Sequence, residues 1–155
     1  MRWDAGACQY RECRTRSWTD PPSALSADRR DQLFFVYLNE KQNSKEGILH
    51  YRKVSSSKVE VAKNKVNAIT TSLLKSDSLF EFELLLEQHE AVISDVIQLP
   101  TIKSQLFNDY NGVVKSLGAW GGDFVLVIVN DTVDLKYFTD KGYETIFSFD
   151  EMLLT

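Results

Sequence analysis

The chain has 155 residues, and its 18 Lys and Arg against 22 Asp and Glu give a formal net charge of -4 at pH 7. Nucleic acids and anionic membrane surfaces are bound by basic surfaces, so this balance argues against either as the main partner. No apolar run approaches the roughly 20 residues that a membrane-spanning helix needs. The composition therefore predicts a soluble, cytoplasmic domain with no nucleic-acid partner and no membrane partner.

Residue usage changes abruptly near residue 32. Every basic residue before this point is an arginine, whereas Arg52 is the only arginine that follows it, among eleven lysines. The first segment has no sustained apolar period of about 2 or 3.6 residues, so it predicts neither a strand nor an amphipathic helix. We interpret residues 1–32 as a disordered or foreign leader and residues 33–155 as one domain.

Two other interpretations of the leader are a nucleic-acid-binding arm and a metal or redox site. It carries six Arg against five Asp and Glu, which is close to neutral, while a nucleic-acid arm should be strongly positive. Cys8 and Cys13 are the chain's only cysteines and the nearest histidine is His50, so no Cys/His zinc site is expected. A disulfide is not expected either, because nothing marks the chain as secreted.

The first half of the domain predicts one strand and two helices. Residues 33–38, Leu-Phe-Phe-Val-Tyr-Leu, predict a buried strand, and the polar residues 41–47 predict a turn. Apolar residues at steps of three and four predict a helix over residues 57–74, with the stripe Val59, Ala62, Val66, Ile69 and Leu73. A second helix is expected after a cap at Asp77 or Ser78, with the stripe Phe82, Leu85, Leu86, His89, Val92, Ile93 and Val96.

Four further elements are predicted in the second half. They are a helix over residues 101–116 that ends at Gly118, a strand over 124–129, a helix over 135–141 and a closing strand over 145–149. The strand over 124–129 is expected to be buried on both faces, because its apolar residues do not alternate with polar ones. Together the elements predict an α+β fold in which helices pack on one face of a small mixed sheet.

A glycine-rich turn precedes the strand over 124–129. Residues 115–123 read Lys-Ser-Leu-Gly-Ala-Trp-Gly-Gly-Asp. Glycine is needed where the backbone adopts a positive φ or where a ligand must approach closely, so the turn is a candidate small-molecule site. The alternative is an ordinary tight turn, which glycine pairs also mark.

In two places the chain resembles the C-terminal domain of the GHMP family of small-molecule kinases, which includes mevalonate, phosphomevalonate, galacto- and homoserine kinases. Residues 115–123 are similar to the family's third motif, a Lys-x-Ser-Gly-Ala-Gly-type loop, from which they depart at Leu117 and Trp120. Residues 33–38 with the following Lys-Gln-Asn-Ser resemble the start of that domain in a bacterial, mevalonate-kinase-like branch. The resemblance covers the chain from about residue 31 onward.

The resemblance implies a ferredoxin-like fold and kinase ancestry. ATP and Mg²⁺ are cofactors of the intact family, whose N-terminal domain holds ATP on a Pro-x-x-x-Gly-x-Gly-Ser-Ser-Ala-like loop. This sequence has no such loop, so the chain alone is expected to be inactive, with no cofactor of its own. The alternative from another functional class is a stand-alone ligand-binding or protein-interaction module that uses the same glycine turn.

The resemblance implies that the glycine turn binds the small-molecule acceptor and that the second predicted helix lines the acceptor pocket. The substrate-binding candidates are therefore Gly118, Ala119, Trp120, Gly121, Gly122, Asp123 and His89, with no catalytic residue and no metal ligand assigned. Each side chain has an alternative structural role. His89 is also interpretable as a hydrogen-bonded histidine between helix and sheet, Asp123 as a turn carboxylate, and Trp120 as a filler of the gap that the other domain leaves.

Self-association is expected through the surface that the family's other domain normally covers. The predicted bare region includes Trp120 and the edge of the strand over residues 33–38, whose unpaired backbone groups would template association. An apolar patch of several hundred Å² is at the upper end of what soluble monomers expose.

Overall fold

The computed structural model describes residues 27–40, 44–118 and 123–153. Four strands form one sheet, and a pair of long helices packs beside it. In chain order the elements are α1 (Ala27–Arg30), β1 (Leu33–Tyr37), α2 (Ser44–Lys53), α3 (Ser56–Leu73), α4 (Leu79–Ile97), α5 (Ile102–Leu106), β2 (Val114–Ser116), β3 (Phe124–Ile128), α6 (Thr132–Asp140), β4 (Ile146–Ser148) and α7 (Phe149–Leu153).

The sheet has the strand order β2-β3-β1-β4. Its central pair runs from Leu33 opposite Ile128 to Tyr37 opposite Phe124. Helices lie between β1 and β2 and between β3 and β4 along the chain, whereas β2 leads into β3 without an intervening helix. This β-α-β-β-α-β order of strands and helices is that of the ferredoxin-like motif. The α+β class expected from the sequence is confirmed.

Two details of the sheet differ from the sequence prediction. The sequence predicts a mixed sheet, but all three described pairings are antiparallel. The connection from β2 to β3 is too short for the crossover that parallel neighbours need. The prediction that β1 is an edge strand is also wrong, because β1 pairs with β3 on one side and with β4 on the other. The edges are β2 and β4.

Helices cover both faces of the sheet, not the single face that was predicted. Successive strand residues point to opposite faces, and β1 places Val36 in one buried cluster and Leu33 in another. The Val36 cluster includes Ile102 of α5 and Phe138 of α6, whereas the Leu33 cluster includes Phe82 of α4. The two central strands are apolar on both sides, so each side requires a covering layer.

The two long helices agree with their predicted patterns. α3 begins after Ser55, whose hydroxyl accepts a hydrogen bond from the Lys58 amide. Ser78, one of the two predicted caps, accepts the Glu81 amide at 3.1 Å and starts α4. Such caps satisfy amide groups that a helix leaves without a partner. None of the described helices is both long enough and apolar enough to cross a membrane.

The helix predicted over residues 101–116 is wrong for most of its length. Only α5 is helical, and the last part of the range is β2. Gly112 lies between the helix and the strand, at a position where a Cβ would lie 2.6 Å from Cε1 of Tyr110. The β-branched pair Val113 and Val114 then favours an extended chain. The glycine turn therefore follows a strand rather than a helix.

The turn predicted over residues 41–47 is also wrong in its second half. α2 begins at Ser44 and includes Gly47, while residues 41–43 lie outside the described chain. Asn43, Ser44 and Gly47 have low helix propensity, which is why the sequence predicts a turn. In the folded chain α2 packs against α4, a contact that the local sequence does not reveal.

The domain begins before the predicted boundary at residue 32. In α1, Arg29 is buried and donates to the Ser76 hydroxyl at 3.1 Å and to the Ser76 carbonyl at 2.6 Å. The Gln32 carbonyl accepts the Val129 amide at 2.9 Å. A guanidinium group can donate several hydrogen bonds in one plane. Arg29 therefore has a structural role in the domain, although the arginine-rich composition assigned it to the leader. Residues 1–26, including both cysteines, lie outside the described chain.

Candidate ligand-binding site

A pocket of about 300 Å³ lies between α2, α4 and the end of β2. Its volume is at the lower end of the range for small-molecule sites. Most of its wall is apolar, and its polar side chains are few. The lining residues are Gly47, Ile48 and Tyr51 from α2, His89, Ile93 and Ile97 from α4, and Lys115, Ser116 and Gly118 from β2 and the turn after it.

The α4 wall follows from helical spacing. His89, Ile93 and Ile97 are four residues apart in succession, so they lie along one stripe of the helix. The same stripe continues the buried positions nearer the helix start, among them Phe82. The structure confirms burial for part of the predicted stripe: Phe82, Leu86 and Val96 are buried, whereas Leu85, His89, Val92 and Ile93 are partly buried.

A buried ion pair joins α4 to β2 beside the pocket. Glu90 is 4% exposed, and its carboxylate accepts a hydrogen bond from the Lys115 ammonium at 2.7 Å and from the Ser116 hydroxyl at 2.9 Å. The Lys115 ammonium also donates to the Ser116 carbonyl at 2.8 Å. Burial of a charge is costly unless it is paired and hydrogen-bonded, and this network meets both conditions for Glu90.

His89 carries a ring nitrogen that protein groups leave unsatisfied. Its Nδ1 atom is buried, and no other described residue provides a hydrogen-bond partner for it. Burial lowers the pKa of His89 below its ordinary value of 6.5, the Lys115 charge lowers it further, and the Glu90 charge opposes them. The ring is therefore neutral at pH 7, with one nitrogen that donates and one that accepts.

The lowered pKa of His89 predicts a pH dependence of stability. Below about pH 6.5 the unfolded chain binds a proton at this histidine more readily than the folded chain does. The contribution of His89 to the free energy of unfolding is therefore fully present above that pH. It falls as the pH is lowered toward the pKa of His89 in the folded chain, and it levels off below that pKa. Urea unfolding between about pH 7 and pH 5 should show this contribution in the parent chain and not in His89→Gln. An imidazole NMR titration of His89 with a midpoint at or above 6.5 would contradict the prediction.

The structure brings together two of the predicted site residues and separates a third. Gly118 lines the same pocket as His89 and adopts φ 67°, a conformation that glycine adopts at little cost. Asp123 lies at the start of β3, where its carbonyl accepts the Leu38 amide at 2.8 Å, and it is not among the lining residues. Residues 119–122, with the predicted Ala119, Trp120, Gly121 and Gly122, lie outside the described chain.

Several pocket residues were not identified from the sequence. Ile48 and Tyr51 were missed because the sequence predicted no element between the turn over residues 41–47 and the helix over residues 57–74. Lys115 and Ser116 were noted only as part of the glycine motif. Glu90 did carry a recognisable pattern, since it is four residues after Leu86 and eight after Phe82 on the buried stripe. A carboxylate in such a position requires a basic or hydroxyl partner from a neighbouring element.

Comparisons with protein-family models, with curated proteins and with solved structures found no match for this chain. Among the described residues, no group of three or more His, Cys, Asp or Glu side chains is arranged to hold a metal ion. The geometry of the pocket is therefore the main basis for a functional proposal.

Proposed function

We propose that this chain is the acceptor-side domain of a GHMP-type small-molecule kinase and that it binds the acceptor in the pocket between α2, α4 and β2. The observation that carries the proposal is that His89 and Gly118 line one pocket. The family resemblance implies both as substrate-binding, on grounds independent of this geometry. The strand order β2-β3-β1-β4 supports the proposal as well, because it is the order of the ferredoxin-like fold that the resemblance implies, whereas the helices on both faces of the sheet differ from that fold.

The pocket favours a small alcohol with an aliphatic body. Ile48, Ile93 and Ile97 provide apolar contact, and Nδ1 of His89 is the unsatisfied polar atom. A hydroxyl group both donates and accepts, so it matches Nδ1 in either tautomer of the neutral ring. The Lys115 ammonium is already paired with Glu90, so the ligand's polar group is proposed to interact first with His89.

Phosphoryl transfer is assigned to the family's other domain. The reaction depends on positioned phosphates, Mg²⁺ and an oriented acceptor, with little covalent help from the protein. The Gly-x-Gly-Ser-Ser-Ala type of loop that holds ATP in the family does not occur in this sequence. In the proposal, ATP with Mg²⁺ binds outside this chain, and this chain orients the acceptor hydroxyl.

NMR titration of the full chain with mevalonate tests the proposal. Saturable shifts are expected at His89 and Lys115, and 3-methylpentanoate, which has the same carbon skeleton without the hydroxyl groups, should bind much more weakly. Loss of the hydrogen bond in His89→Phe should raise the mevalonate Kd by about tenfold or more. The matched control is His50→Phe, which changes the chain's other histidine outside the pocket and should leave the Kd unchanged.

Three results would count against this function. The absence of saturable binding by hydroxylated acceptors would contradict the assigned pocket. Equal binding of mevalonate and 3-methylpentanoate would remove the role of His89 and favour the stand-alone module. Magnesium-dependent turnover by this chain alone in a coupled ATPase assay would show that the acceptor side is not its whole function.

A further inference from the structure

A second concave surface, which we call the acidic groove, lies at the N-terminal half of α4, whereas the ligand pocket lies at its C-terminal half. Its volume is about 400 Å³, and α4 lines it together with the loops before β2 and after β3. Four carboxylates line it, and no Lys or Arg does so within the described chain. These carboxylates belong to Glu83, Glu87, Asp131 and Asp134, and the apolar side chains beside them are Phe80, Leu84 and Val113.

The apolar part of the acidic groove is open to solvent. Phe80 is 74% exposed and Leu84 is 45% exposed. The two are four residues apart on α4, so they form one apolar stripe beside the carboxylates. Large apolar side chains that lie together in a groove with a charged rim are typical of protein-interaction sites.

Close packing and hydrogen bonds hold the loops that line the acidic groove. Gly112 lies against the Tyr110 ring, since a Cβ there would be 2.6 Å from Cε1 of the tyrosine, and the Tyr110 hydroxyl donates to the Ile128 carbonyl at 2.9 Å. Asp134 accepts the amides of Asn130 and Asp131 at 2.9 and 3.2 Å, which fixes the loop after β3. A site that is already formed loses little conformational entropy when a partner binds.

The carboxylates produce a negative potential that other groups sense. Burial raises the pKa of the Tyr110 hydroxyl, and the charges of Asp134 and Glu83 raise it further. Glu87 is partly compensated by Lys103, whose ammonium lies 3.0 Å from its carboxylate at the rim. The charged side chains that line the groove within the described chain are all acidic.

We propose that the acidic groove binds a basic amphipathic peptide segment of another protein, in which an apolar residue contacts Phe80 and Leu84 while flanking Lys or Arg side chains pair with the carboxylates. Charge complementarity selects this occupant. A second copy of the chain would bring a surface with an acidic excess against the groove, since the sequence carries a formal net charge of -4. Opposite potentials across an interface speed association and discriminate against wrong partners.

Fluorescence anisotropy with a labelled synthetic peptide tests this docking surface on the full chain. The probe has Leu on one helical face and Lys on the other, and the control peptide has Glu in place of every Lys. Saturable binding of the Lys peptide, weakened by added salt, is expected. Phe80→Ser and Glu83→Lys should each raise its Kd by about tenfold, which corresponds to 1.4 kcal/mol. The Gly112 amide should shift in NMR spectra when the peptide binds.

Two matched variants lie outside the acidic groove. Leu74→Ser removes an apolar side chain that is 58% exposed, and Asp150→Lys reverses an exposed charge on α7. Each should change the Kd by less than about twofold. Circular dichroism checks that every variant is folded. Phe80→Ser and Glu83→Lys test the groove independently, because the first removes an apolar side chain and the second reverses a charge.

Several outcomes would overturn the proposal. Parent-like affinity in both groove variants, or equal binding of the Glu peptide, would remove the assigned site. Concentration-dependent self-association in sedimentation that Phe80→Ser abolishes would assign the groove to a second copy. Peptide binding that appears only after deletion of residues 1–26 would assign it to that segment of the same chain.

Discussion

Replacing Glu90 with alanine is expected to lower the free energy of unfolding by about 3–5 kcal/mol. Glu90 is almost fully buried and accepts hydrogen bonds from the Lys115 ammonium and the Ser116 hydroxyl. Without the carboxylate, an ammonium group whose side chain is only 15% exposed loses its counter-ion. Urea unfolding of the parent and the variant measures the difference.

The control for this prediction is the double variant Glu90→Leu with Lys115→Met. An apolar pair of similar volume removes both buried charges together, and such replacements are often neutral or stabilising. The double variant should therefore recover most of the stability that Glu90→Ala loses. Equal destabilisation by the double variant would show that the loss in Glu90→Ala comes from packing and not from the unpaired ammonium.

Replacing Phe138 with alanine is expected to cost about 3–5 kcal/mol as well, by a different mechanism. Phe138 is completely buried, and its ring centroid lies 5.2 Å from that of Phe107 and 4.9 Å from that of Tyr110. Alanine would leave a cavity between α6 and the sheet, because the surrounding side chains belong to separate elements and cannot close together. The measurement is again the free energy of unfolding in urea.

Phe80→Ala is the matched control for Phe138→Ala. It makes the same chemical change on a side chain that is 74% exposed, where little apolar surface is buried on folding. Its effect on stability should lie within about 0.5 kcal/mol. A similar loss in both variants would contradict the cavity mechanism and indicate an effect on helix formation or on the unfolded chain.

The buried cluster around Val36 and Phe138 is separate from the ligand pocket. Phe138 belongs to the cluster between the sheet and α6, which contributes no residue to the ligand pocket. Glu90 lies next to His89 and pairs with Lys115, which lines the pocket. A binding experiment on Glu90 variants therefore reports on the site and on the fold together, whereas His89 variants change the pocket with a smaller expected effect on the core.

Local sequence patterns correctly predicted the elements whose signal lies within one continuous segment, such as α4 and β1. The apolar stripe and serine cap predict α4, and the run over residues 33–38 predicts β1. Both are present, because helix periodicity and a continuous apolar run are local properties. The α+β class followed from the order of these elements, and a positive φ at Gly118 agrees with the turn that the glycines predict.

Patterns that depend on partners elsewhere in the chain were predicted less well. The segment over residues 101–116 contains enough apolar residues for a helix, but pairing of Val114 opposite Val127 makes its end a strand. Arg29 resembles its arginine-rich neighbours in the sequence, yet its guanidinium is buried on Ser76, which lies 47 residues away. Neither contact can be inferred from residues close in sequence.

The candidate site divides in the same way. The sequence by itself singled out His89 and the glycine segment, because a histidine on an apolar stripe and a glycine turn before a strand are visible locally. Only the tertiary structure placed His89 and Gly118 in one pocket, added α2 as its third wall and paired Glu90 with Lys115 across 25 residues. A pocket requires side chains from different elements to face a common space, and that arrangement is decided by packing rather than by the periodicity of any one segment.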